Sequence, residues 1–137
     1  MKKQKKKRNG ITFRQMTNSE VRYLGASRSR PEGRADPATR RVAYSVPTAL
    51  PIILHEVGHC VLNHETGMER LMLSDLAVLN REIEAWQWAW GRIGDKESVE
   101  KVVVRYLRTY DHDHHYTDQE LLMRVRGEEI KREEQAA

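Results

Sequence analysis

His55, Glu56 and His59 stand within the run Pro51-Ile-Ile-Leu-His-Glu-Val-Gly-His-Cys-Val-Leu-Asn-His64. On an α-helix each residue advances about 100°, so His55 and His59 lie about 40° apart on successive turns. Glu56 falls within about 100° of both. Two imidazoles and a carboxylate then share one side, while Ile53, Leu54, Val57, Val61 and Leu62 line the other. A histidine pair at i and i+4 can hold one zinc ion, and the glutamate beside the first can accept a proton from water on that metal. This is the H-E-x-x-H arrangement of zinc-dependent hydrolases. Its apolar setting matters, because an unliganded imidazole pair is costly to bury.

A catalytic zinc takes three protein ligands and keeps a position for water. A histidine ten positions after the first, reached through a glycine turn, would mark the metzincin pattern. Here Glu65 holds that position and Leu62 the glycine position. His64 falls one residue early, and a continuing helix points it about 180° away from His55. A role at the helix end, orienting a ligand, is expected of it instead. Cys60 points about 100° from His59 and reads as a small buried side chain. The third ligand is therefore sought downstream, in Asn80-Arg-Glu-Ile-Glu-Ala-Trp-Gln-Trp-Ala-Trp90. Glu82 shares a face with Ala85 and Ala89, whose small side chains permit close approach of a second helix. Glu84 lies about 200° away and is the less favoured candidate.

The elements that must position these groups can be read in chain order. Ile11 to Arg14 alternates apolar with polar and reads as a short strand. Asn18-Ser19-Glu20 reads as the start of a helix that Gly25 stops, with a strand as the rival reading. Residues 26–40, with two prolines, a glycine and almost no apolar content, read as a loop. Arg41 to Ser45 reads as a strand feeding the metal helix and is a candidate edge for an extended substrate. Thr48 is the expected cap of that helix, Pro51 sits in its first turn, and Gly67 is its expected stop. A second long helix begins near Ser74-Asp75 and carries Leu76, Leu79, Ile83, Trp86 and Trp90 as a core stripe. A third spans Asp95 to Tyr110, and Thr117-Asp-Gln-Glu120 is a capping box that opens a fourth. Asp111-His-Asp-His-His115 between them reads as a polar loop, with a second metal site as the rival reading.

Composition narrows the class. The 137 residues suit one domain with a modest core. The net charge of +4 misleads, because Lys2, Lys3, Lys5, Lys6, Lys7 and Arg8 supply six positive charges. Set apart from the 24 basic residues, they leave 18 against 20 acidic ones, so the body is slightly acidic. Such a run is a solvated arm, and the one place where a nucleic-acid contact is expected. No apolar segment follows it as a secretory signal would require, and the apolar run at Ala49–Leu54 is far too short to span a membrane. With Cys60 as the only cysteine, a reducing cytoplasm is the expected setting.

His55-Glu-Val-Gly-His-Cys-Val-Leu-Asn-His64, followed by Glu82-Ile-Glu-Ala85-Trp-Gln-Trp-Ala89, resembles the ImmA/IrrE-type zinc metallopeptidases. Their pattern is H-E-x-G-H-x-x-L-x-H, then a downstream E-x-x-A-x-x-aromatic-A helix. The matching positions are His55, Glu56, Gly58, His59, Leu62, His64, Glu82, Ala85, Trp88 and Ala89, within a stretch of about residues 41–93. The resemblance implies Zn²⁺ held by His55, His59 and Glu82, with Glu56 as general base. It implies a zincin-like α+β fold, mostly helical, with a small antiparallel sheet beside the H-E-x-x-H helix. One domain is expected over residues 11–126, between a basic arm at 1–10 and a charged tail at 127–137. Family members are typically intracellular, are often carried by phages and mobile elements, and in several cases cut helix-turn-helix repressors. This chain departs from the family in having Trp90-Gly-Arg-Ile-Gly94 where a Leu-Leu-Met-Pro-like segment often follows, and no added sensor or DNA-binding domain is expected.

The function expected is site-specific peptide hydrolysis of a protein substrate, such as a transcriptional repressor. Tyr106, Tyr110, His112, His114, His115 and Tyr116 are candidates for a second oxyanion donor. The alternative is a non-catalytic regulator with the same fold that contacts a repressor or nucleic acid through its basic arm. No membrane partner is expected.

Overall fold

The computed structural model describes residues 10–128. In chain order these form β1 (Thr12–Gln15), α1 (Asn18–Leu24), β2 (Gly33–Asp36), β3 (Arg41–Tyr44), α2 (Leu50–Val61) and α3 (Gly67–Leu71). They continue as α4 (Asp75–Trp90), a 3₁₀ turn (Glu97–Val99), α5 (Glu100–Arg108) and α6 (Asp118–Arg126). The class is α+β. Lys2 to Arg8 of the expected arm, and the charged tail beyond residue 128, lie outside the described residues. The chain divides into two compact units, the first ending at Met72 and the second starting at Leu73.

The first unit is built on β3, the middle strand of a three-stranded sheet ordered β1-β3-β2. β1 runs parallel to β3, Thr12 opposite Arg41, and β2 runs antiparallel, Gly33 opposite Tyr44. The expectation of an antiparallel sheet is thus corrected to a mixed one. An antiparallel neighbour needs only a hairpin, whereas the chain returns from β1 to β3 through α1 and β2, a crossover long enough to restore the original direction. β3 is also corrected as a candidate edge: it is paired on both sides, and Val42 and Ala43 are buried. Among the described residues the edges are β1 and β2.

β2 lies within the stretch read as a loop. Gly-Arg-Ala-Asp has neither β-branched residues nor an apolar alternation, so nothing local marks it. Pairing with β3 makes it a strand, and the ladder continues at Ser45, whose N–H donates to the Glu32 carbonyl at 3.0 Å. Between them Arg40 turns the chain at φ 56° and donates from its guanidinium to the Cys60 carbonyl at 3.2 Å, fastening the hairpin to the end of α2. Of the two readings of residues 18–24 the helix is the one that forms: Thr17 and Glu20 make a reciprocal capping box, and Gly25 closes it at φ 68°.

Two boundaries of α2 differ from the sequence reading. Ala49, without a side-chain cap, precedes its first turn, and Thr48 contributes only its backbone carbonyl, to Leu50 at 2.9 Å. The helix also ends at Val61, well before Gly67. Asn63 takes the left-handed conformation at φ 53°, its N–H donating to Cys60 O and that of His64 to His59 O, both at 3.1 Å. These two bonds are a Schellman stop with Asn in the place glycine usually takes. Gly67 then begins α3.

The second unit is helical. Ser74 caps α4 by accepting from Ala77 N at 3.1 Å. Leu79, Ile83, Trp86 and Trp90 are buried along one stripe, while Leu76, in the first turn, stays exposed. The third helix starts late, with a 3₁₀ turn over Glu97–Val99 before α5. Val99, Val103 and Leu107 turn inward from it, and Leu121 and Val125 do so from α6, which Thr117 and Glu120 cap reciprocally. Tyr106 stands edge-on to Trp86 with ring centres 5.8 Å apart. The loop before α6 is organised by buried Asp111, which accepts from the N–H groups of His115 at 2.8 Å and Tyr116 at 3.0 Å and pairs with Arg108. No helix among the described residues is long and apolar enough to cross a membrane.

Leu107 is fully buried, so Leu107→Ala is expected to cost about 2–5 kcal/mol in denaturant unfolding. At the surface, the Arg14 guanidinium hydrogen-bonds both Glu20 oxygens and, with the Thr17 N–H, holds that carboxyl at about 2, below its ordinary 4.5. The folded chain takes up this proton at lower pH than the unfolded chain. The pair's contribution is therefore complete above about 4.5 and is lost as pH falls through about 2. An NMR titration of Arg14→Ala should show the Glu20 midpoint moving up.

Candidate metal centre

α2 is an inside-out helix. His55, Glu56 and His59 are buried together with Ile52, Gly58 and Cys60. Val61 and Leu62, by contrast, are 43% and 42% exposed, and Ile53, Leu54 and Val57 are only half-buried. The expected division into a polar and an apolar side holds by type, but the polar side is the one shielded from water. Buried imidazoles and carboxylates demand partners, and the structure supplies them.

The rings of His55 and His59 stand edge to face, 4.7 Å between centres. Nδ1 of His55 meets Oε2 of Glu56 at 3.2 Å. Nδ1 of His59 meets Nδ1 of His64 at 2.8 Å, one nitrogen donating and the other accepting. Both contacts engage Nδ1, so each of the two imidazoles would offer Nε2 to a metal. The Schellman stop explains the second contact. Had α2 continued, His64 would point away; because Asn63 reverses the chain, His64 folds back over the last turn and is itself buried.

His55, His59 and Glu82 each offer a ligand atom, these atoms lie within 4.8 Å of one another, and all three residues are buried. That is close enough to hold a metal ion. Glu84 is outside this set and partly exposed, as its place on another face of α4 requires. Among the described residues no comparable cluster forms at His112, His114 and His115. Among the oxyanion-donor candidates, Tyr106 meets Trp86, and the Tyr116 hydroxyl accepts from Arg124 at 3.3 Å. Cys60 has no exposed surface, and burial pushes its thiol up, keeping it protonated and unsuited to a metal.

Sequence reasoning missed Gly33. A Cβ built on it would lie 2.8 Å from Cγ of Glu56 and 3.0 Å from Cγ2 of Ile52. A glycine inside a strand signals such close backbone approach, but the strand itself was not legible.

The donor set fits a borderline divalent ion. Two imidazole nitrogens and one carboxylate suit a divalent metal, and a partner on Nδ1 fixes the orientation of each imidazole. His64→Ala is accordingly expected to weaken the binding of a divalent metal ion about 10–100-fold in a chelator competition, with the helical circular dichroism retained. Comparison with family models, with curated proteins and with solved structures finds no match to this chain.

Proposed function

We propose that this chain is a zinc-dependent metalloendopeptidase of the ImmA/IrrE type, acting on a specific intracellular protein such as a helix-turn-helix repressor. One observation carries the reading: His55, His59 and Glu82 are buried within metal-binding reach of one another, and Glu56 is buried against His55. Two imidazoles and one carboxylate leave a zinc vertex for water, the composition of catalytic sites, whereas structural zinc is enclosed by four protein ligands. A purely structural site would also have no use for the adjacent carboxylate.

When bound, the ion supplies Lewis acidity, which brings the pKa of water down to about 7 and polarises a carbonyl. The chain's own residues do the rest. Glu56 accepts the proton as water adds to the peptide carbonyl, then returns it to the leaving amine. The contact with His55 Nδ1 orients its Oε2 oxygen. His64 orients the His59 ring through their shared hydrogen bond. A peptide substrate is supported by the sheet: β2 is an edge strand among the described residues, and its Gly33 lies against Glu56. An extended segment added to that edge would run beside the carboxylate. The chain's single cysteine accords with a reducing cytoplasmic setting.

Purified wild-type protein is expected to hold stoichiometric zinc by elemental analysis, and His55→Ala to lose it. Glu56→Gln should keep the metal and lose about 10²–10⁴-fold in cleavage, read as truncation of a co-expressed repressor. Wild-type protein without zinc, or His55→Ala that retains it, overturns the reading.

A further inference from the structure

Gly33 occupies the first position of β2, with Arg34 and Asp36 pointing outward and Ala35 sharing its inward face. Its backbone is not left-handed, so conformation does not require glycine there. Space does. A methyl group at this residue would fall 2.8 Å from Glu56 Cγ, 3.3 Å from Glu56 Oε2 and 3.0 Å from Ile52 Cγ2. Carbon atoms pack at about 3.5–4.0 Å, so a side chain here and the present Glu56 rotamer exclude each other. Glu56 is buried and has little room to yield, because its Oε2 already meets His55 Nδ1.

We infer that Gly33 is a positioning residue for Glu56. The missing Cβ is the space into which the glutamate side chain extends, and it holds the carboxylate between the β2 backbone and the His55 ring. The carboxylate is thereby held against the inward face of β2 at Gly33. The catalytic meaning of this inference rests on the proposed role of Glu56 as proton acceptor, but the steric coupling itself does not.

A double-mutant cycle on the metal-free full-length protein separates the two. Gly33→Ala is expected to lower the thermal midpoint by roughly 4–12 °C. In a Glu56→Ala background the same substitution should lower it by less than half as much, because the obstructing Cγ and carboxylate are gone. Gly33→Ala should also displace the His55 Nδ1 resonance in ¹⁵N spectra of the imidazoles while leaving the His59–His64 signals in place. Equal destabilisation in both backgrounds, or an unmoved His55 resonance, overturns the inference. If Gly33→Ala fails to fold, recovery of folding in the double variant supports it, and continued failure places the obstruction at Ile52 and overturns it. Absence of zinc or of cleavage in the wild-type protein would defeat the proposed function and leave this cycle unaffected.

Discussion

Taking ionisable groups out of water is the constraint on which the first unit and the candidate site depend. His55, Glu56, His59, His64 and Glu82 are all buried. An isolated buried charge costs several kcal/mol even after relaxation, and a buried neutral imidazole still needs its nitrogens satisfied. The contacts that meet these needs are short and directional: His55 with Glu56, and His59 with His64. A divalent ion between the two imidazoles and the Glu82 carboxylate would add a further compensating interaction.

The backbone devices around α2 follow from the same demand. A helix whose polar side faces inward needs a close neighbour on that side, and the bare backbone of Gly33 provides one. The stop at Asn63 turns a histidine that an uninterrupted helix would have sent outward into one that braces His59. Arg40 ties the β2–β3 turn to the carbonyl end of α2, where cationic donors interact favourably with the helix dipole. Strand, turn and helix terminus thus each aim one group.

The second unit follows a more ordinary rule. Trp86, Leu79, Ile83, Val103, Leu107, Leu121 and Val125 form its apolar interior, and the polar residues Asp111 and Arg108 are used to shape the loop between α5 and α6. Buried Asp111 takes two backbone N–H groups and a guanidinium, a set that compensates the loss of water around a carboxylate. His114 turns that loop at φ 52°, and among the described residues His112, His114 and His115 form no metal-binding group.

Periodicity and local chemistry alone determined a good deal of this. The stripe through Leu79, Ile83, Trp86 and Trp90, the capping box at Thr117, the strand at Arg41 and the choice of Glu82 over Glu84 as the better-placed carboxylate could be read from spacing, because each depends on residues within a few turns of one another. Which side of α2 faces inward could not, because a helix with apolar and polar sides is symmetric to periodicity until another element covers one of them. β2 was illegible for a related reason: Gly-Arg-Ala-Asp becomes a strand only through hydrogen bonds to β3. The contact of His64 with His59 depended on where α2 ends, a decision taken by a single left-handed Asn. Spacing along the chain named the candidate ligands; burial and backbone reversal, which exist only once distant segments have met, decided how they are held.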